Sequence, residues 1–142
     1  MAAYNQMDRY QQTSVETASP TRRVVMLYDG AIRFLNLALP AMASKDLVLQ
    51  SKMISNAQAI IHHLQSTLNF DIAPALCADL SKMYVILYST LTDANINDSA
   101  IKVNEVIASL RELREAWIEV DKRTQASKVD ASAASSKEMI AA

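Results

Sequence analysis

Glycine occurs once in 142 residues, at Gly30, and proline three times, at Pro20, Pro40 and Pro74. So little turn chemistry leaves a chain poorly equipped for the tight reversals of an all-β fold. Helices joined by short polar connections remain, and the abundance of Ala, Leu, Ile, Met and Ser agrees with them. With 51% hydrophobic and 20% charged residues, the chain reads as one globular domain.

Apolar residues recurring at three and four place the helices. Ser19 and Pro20 start the first: serine accepts from an early N–H, and proline's missing N–H is harmless at the first helical position. Val24, Leu27, Tyr28, Ala31, Leu35, Ala38 and Met42 then share a face. Pro40 predicts a kink or an early end. Asp29-Gly30 lies in a run that does not alternate polar and apolar, so it belongs to the helix and not to a hairpin. Glycine there costs about 1 kcal/mol relative to alanine, which predicts close approach by a neighbouring helix. On that reading Gly30→Ala destabilises by overpacking.

Ser44, Lys45 and Asp46 connect to a second helix carrying Leu47, Met53, Ile54, Ala57, Ile60, Ile61, Leu64 and Leu68. This stripe is broader than one core seam needs. Asn69-Phe70-Asp71 breaks the run, with Asp71 expected as the next N-cap and Pro74 in the first turn. The third helix uses Leu76, Leu80, Met83, Tyr84, Leu87 and Leu91, and ends near Asn95-Ile96-Asn97-Asp98. The fourth carries Val103, Val106, Ile107, Leu110, Leu113, Trp117 and Val120, and is expected to end near Arg123. The expected fold is all-α: an antiparallel up-down-up-down four-helix bundle over residues 19–123. An N-terminal arm at 1–18 precedes it, and a short flexible tail at 124–142, in part helical or disordered, follows.

Net charge is −1, with +2 on residues 1–70 and −3 on 71–142. No basic cluster forms a phosphate-binding face, which argues against nucleic acid. The apolar runs are shorter than a membrane span, so no membrane insertion is expected. The N-terminus lacks the basic start and apolar core of a signal peptide, which predicts a cytoplasmic protein.

The residues offer little chemistry. Bundle metal sites use Glu-x-x-His on facing helices. His62 and His63 are preceded at that spacing by Ala59 and Ile60. Adjacent histidines point about 100° apart and cannot chelate one metal as an i, i+4 pair would. They read as a surface histidine beside a partly buried one. Cys77 is the only cysteine and reads as a small packed hydrophobe. There is no phosphate loop and no nucleophile elbow. Neither catalysis nor a metal or cofactor is expected. Arg111-Glu112-Leu113-Arg114-Glu115 reads as a solvated helix face.

The surplus of apolar surface points instead to a partner. The second helix is the expected contact face, through Ile54, Ala57, Ile61, Leu64 and Leu68. The third adds Val85, Ile86 and Tyr88 around its circumference. An amphipathic helix laid in a groove is the usual way to cover such surface. Self-association of a helical adaptor or dimerisation module is the alternative, so the expected state is a monomer or a weak homodimer.

The run from Tyr10 to Pro20, YQQTSVETASP, followed by Met26-Leu-Tyr-Asp-Gly-Ala-Ile32, resembles the start of the flagellar secretion chaperones, the FliS family. Ser66-Thr67-Leu68-Asn69, Ala94-Asn95-Ile96 and Ala116-Trp117 extend the resemblance from Tyr10 to about Val120. It departs at Phe70-Asp71-Ile72-Ala73-Pro74, where many relatives carry glycines. The resemblance implies a cytosolic chaperone for the C-terminal segment of flagellin, which is unstructured before assembly. It further implies hand-over at the export gate of the flagellar type III apparatus and, in some members, contact with an anti-sigma factor. Tyr4, Met7 and Tyr10 are spaced by three along the arm. The arm is therefore expected to fold back as a lid over the client groove, anchored and contacting the client through Tyr10.

Overall fold

The computed structural model describes residues 18–141, with side chains through residue 134. These residues form four α-helices: α1 (Pro20–Ala43), α2 (Leu47–Ser66), α3 (Pro74–Ile96) and α4 (Ala100–Ala141). The fold is all-α, as the periodicity predicts. The described residues fall into two compact units, one of residues 26–114 and one of residues 18–25 with 115–141.

In the larger unit all four helices are tied together. Side chains bridge α2 and α3 along their length: Ser51 Oγ donates to Asn95 Oδ1 (3.3 Å), Gln58 Nε2 to Thr92 Oγ1 (2.8 Å) and Gln65 Nε2 to Ser81 Oγ (3.2 Å). The α3 partners fall in number as the α2 donors rise, so the two helices run antiparallel. Tyr28 of α1 and Tyr84 of α3 meet in the core through their hydroxyls, their rings 6.5 Å apart and tilted by 41°. That geometry lies in the favoured range for aromatic pairs. Asp29 pairs with Arg114 of α4, and Asp93 with Lys102. Both pairs are partly solvated and contribute at most about 1 kcal/mol each. Arg114 is thus engaged across the bundle, whereas Arg111, Glu112 and Glu115 are exposed.

Caps explain most helix boundaries. Ser19 Oγ accepts from the Arg22 N–H (3.1 Å), Asp46 Oδ1 from Leu49 (3.1 Å) and Ser99 Oγ from Lys102 (3.3 Å). The expected cap at Asp71 is corrected. Ala73 takes the N-cap without a side-chain bond, and Pro74 follows at the helix start. Asp71 instead gives its N–H to Asn69 Oδ1 (3.1 Å), a turn closed two residues earlier.

Pro40 does not end α1, which runs on to Ala43 before a left-handed Lys45 (φ 59°). There the Asp46 N–H donates to the Ala41 carbonyl (2.9 Å), closing the helix end. Asp98 (φ 51°) plays the same part between α3 and α4, and the Ser99 N–H donates to the Ala94 carbonyl (2.9 Å).

α1 is the one described helix long and apolar enough to cross a membrane, which corrects the expectation that no segment reaches that length. One stripe of it is turned inward, where Val25, Tyr28, Ala31, Leu35, Ala38 and Ala41 are buried, whereas Leu37 is exposed. Arg22, Arg23, Asp29 and Arg33 interrupt it.

Within the smaller unit, Ser19 Oγ (2.9 Å) and Thr21 Oγ1 (2.5 Å) both donate to Asp121 Oδ1. The Thr21 and Ser19 hydroxyls, with the Arg22 charge nearby, hold the Asp121 carboxyl below its ordinary 3.8. Its contribution to stability is therefore present above that value and lost as pH falls through the lowered native one. α4 does not stop near Arg123 but continues to Ala141. No glycine or proline follows Pro74, the alanines and lysines beyond Arg123 favour helix, and residues 125–134 are exposed.

Gly30 meets α2: a Cβ there would lie 3.2 Å from Ile60 Cδ1. The close approach is as expected, and the atom met there decides its consequence. The opposing atom is the free end of a half-buried side chain that can turn aside. Gly30→Ala should therefore gain most of the roughly 1 kcal/mol of helix propensity, raising Tm by about 2–5 °C. A lower Tm on thermal melting would mean that Ile60 cannot yield. Lys45→Gly relieves left-handed strain and should stabilise by about 0.5–1 kcal/mol in urea titration. An unchanged midpoint would place no strain at Lys45.

Candidate functional site

α3 buries Cys77, Tyr84, Leu87, Leu91 and Ala94 along one side. At 100° per residue, Leu76, Met83 and Ile86 fall on one flank of that seam, and Val85 and Tyr88 on the other. All five are exposed, from 40% for Met83 to 60% for Ile86. Leu76 and Met83 are core positions by periodicity, and this is corrected: apolar residues cover more of α3 than its Tyr84 side can bury. The Val85 and Tyr88 flank borders α2, where Gln58 Nε2 also donates to the Tyr88 carbonyl (3.1 Å). Phe70 and the 80% exposed Ile72 continue the apolar surface into the connection before α3.

The second helix exposes Leu47, Val48 and Leu49 at its start, but not the residues expected as contacts. Ile54, Ala57 and Ile61 are fully buried, and Leu64 almost so. These four offer no surface to a partner in this conformation, contrary to the expected exposed stripe. Their steps of three and four are the core seam itself. Ile60, the apparent surplus, packs toward the gap left by Gly30. Leu68 lies past the helix end and is half-buried. Tyr10 and the arm lie outside the described residues.

Polar groups nearby are structural. Buried Gln50 donates through Nε2 to Asn95 Oδ1 (3.1 Å) and Asp98 Oδ1 (2.9 Å), fixing α2 to the α3–α4 corner. Cys77 is buried, as expected, and its Sγ contacts the Asn69 carbonyl oxygen at 3.3 Å. Both His62 and His63 are exposed, so neither is the partly buried one expected. Among the described residues no group of three His, Cys, Asp or Glu is placed to hold a metal. What the α3 face offers is apolar area bordered by hydroxyls and amides, which suits binding.

Fold and surface together define an all-helical protein with an exposed apolar face. A family model described as flagellar protein FliS matches residues 3–124. The flagellar secretion chaperone FliS of Bacillus subtilis is 37% identical over 117 residues, covering 82% of this chain and 86% of the relative. That of Campylobacter jejuni is 31% identical over 118 residues, covering 83% and 90%. That of Salmonella typhimurium is 31% identical over 116 residues, covering 78% and 86%. The chain belongs to the FliS family of flagellar proteins.

Stability separates seam from surface. Ile54→Asp puts a charge where no water reaches and should cost at least about 3 kcal/mol in denaturant titration. Ile86→Asp should stay within about 0.5 kcal/mol of the parent. Equal losses would mean that Ile86 is packed.

Proposed function

We propose that this protein is a cytoplasmic export chaperone that binds the C-terminal segment of flagellin, disordered before assembly. Holding that segment keeps flagellin from polymerising early and supports its delivery to the flagellar type III export apparatus. The observation that carries this reading is the exposed apolar surface of α3 in a chain whose relatives are named flagellar secretion chaperones. Phe70, Ile72, Leu76, Met83, Ile86 and Tyr88 form the proposed contact surface, with half-buried Leu68 at its edge. Tyr10 is retained as a contact from the arm. The buried α2 residues support the face from behind.

The energetics suit a client that must later be released. A disordered segment loses conformational entropy on binding, so each buried side chain yields a modest net gain. Affinity is then spread over area and needs no nucleotide to reverse it. An export-gate protein and an anti-sigma factor are further proposed partners. Self-association through the same surface, as in a weak homodimer, is the competing reading that the exposed side chains favour.

Titration with a flagellin C-terminal peptide, followed by calorimetry, tests the proposal. Saturable 1:1 binding is expected, weakened by about 1–3 kcal/mol in Ile86→Asp. Binding that Ile86→Asp leaves intact moves the site off α3. Light scattering that rises with concentration and ignores the peptide would favour self-association.

A further inference from the structure

We infer that Asp121 is a latch: its carboxylate closes the first turn of α1 onto α4, and this clasp opens by itself while the four helices of residues 26–114 stay folded. Ser19 Oγ and Thr21 Oγ1 converge on one oxygen, Asp121 Oδ1, from a hundred residues away in the chain. Ser19 also accepts from the Arg22 N–H and so caps α1 through the same atom. Opening the latch frees the Ser19 and Thr21 hydroxyls from α4, so the first turn of α1 loses its tether and frays.

Apolar packing in this unit is thin. Among its described residues Val25 is fully buried, Val24, Trp117 and Ile118 are half-buried, and Val120 and Val129 are exposed. The larger unit buries Tyr28, Leu35, Ile54, Ile61, Tyr84, Leu91 and Leu110, so its opening free energy is far higher. Where burial is thin, local opening is governed by the few polar ties that remain. Arg22 and Gln125 act on the same Asp121 carboxyl, whereas Arg23 Nε donates to the Ala18 carbonyl and Arg123 pairs with Glu119 along its own helix. The latch therefore sets whether the chain ahead of Ser19 starts from α4 or from about one turn further along α1.

Hydrogen exchange on the full chain tests this with three variants. Asp121→Ala should speed exchange of amides 23–25 and 120–124 by at least about tenfold and leave amides 53–64 at the parent rate. Thr21→Val, which keeps the Ser19 cap, should produce a smaller rise at the same amides. Combining Thr21→Val with Asp121→Ala should add nothing to Asp121→Ala alone, since both remove one interaction. Parent-like exchange at both ends in Asp121→Ala, or an equal rise at amides 53–64, overturns the latch. Full additivity of the two variants overturns it as well.

Discussion

Tyr28 and Tyr84 bring the two largest fully buried side chains of this protein together from α1 and α3. A phenol taken out of water must keep its hydrogen bond, and the two hydroxyls meet each other. Their tilted stacking fixes how far α1 can slide along α3. Once that register is set, Gly30 lies opposite Ile60, Asp29 reaches Arg114, and Leu35 and Leu91 fall into the same interior. The packing of the other helices follows from this pair.

The helix starts could be read from Ser19-Pro20 and Asp46 because their chemistry is local: one side-chain oxygen and one backbone N–H three residues on. Pro40 was harder to read, because tertiary packing of Ala38 and Ala41 carries α1 past a residue that would end an isolated helix. The candidate surface was only half legible. Val85, Ile86 and Tyr88 stood out as apolar residues beyond any seam. Leu76 and Met83 did not, since periodicity says which residues share a face without saying which face is covered. Ile54, Ala57, Ile61 and Leu64 looked like surplus for a related reason. The gap at Gly30 that accommodates Ile60 depends on a second helix and leaves no mark on α2's own pattern.

These features explain how one small bundle can fold and still keep an exposed apolar face. Its interior is closed by α2, by the inward residues of α1 and by the first turns of α4. The outer flanks of α3 leave Met83, Val85, Ile86 and Tyr88 exposed among the described residues. The proposed binding there requires no rearrangement of the seam, because Ile54 and Ile61 are already buried. The surface supplies area and a border of amides and hydroxyls, which suits the extended client proposed above.

The left-handed backbone at Lys45 and Asp98 has a counterpart in the denatured chain. A chain with one glycine has fewer accessible backbone states when unfolded than one that places glycine in every turn. Strain at two corners of the native protein is thus set against a smaller loss of conformational freedom over the rest of the chain. Part of the stability of this bundle resides in no contact between its helices. It lies in how little freedom its own backbone has to give up.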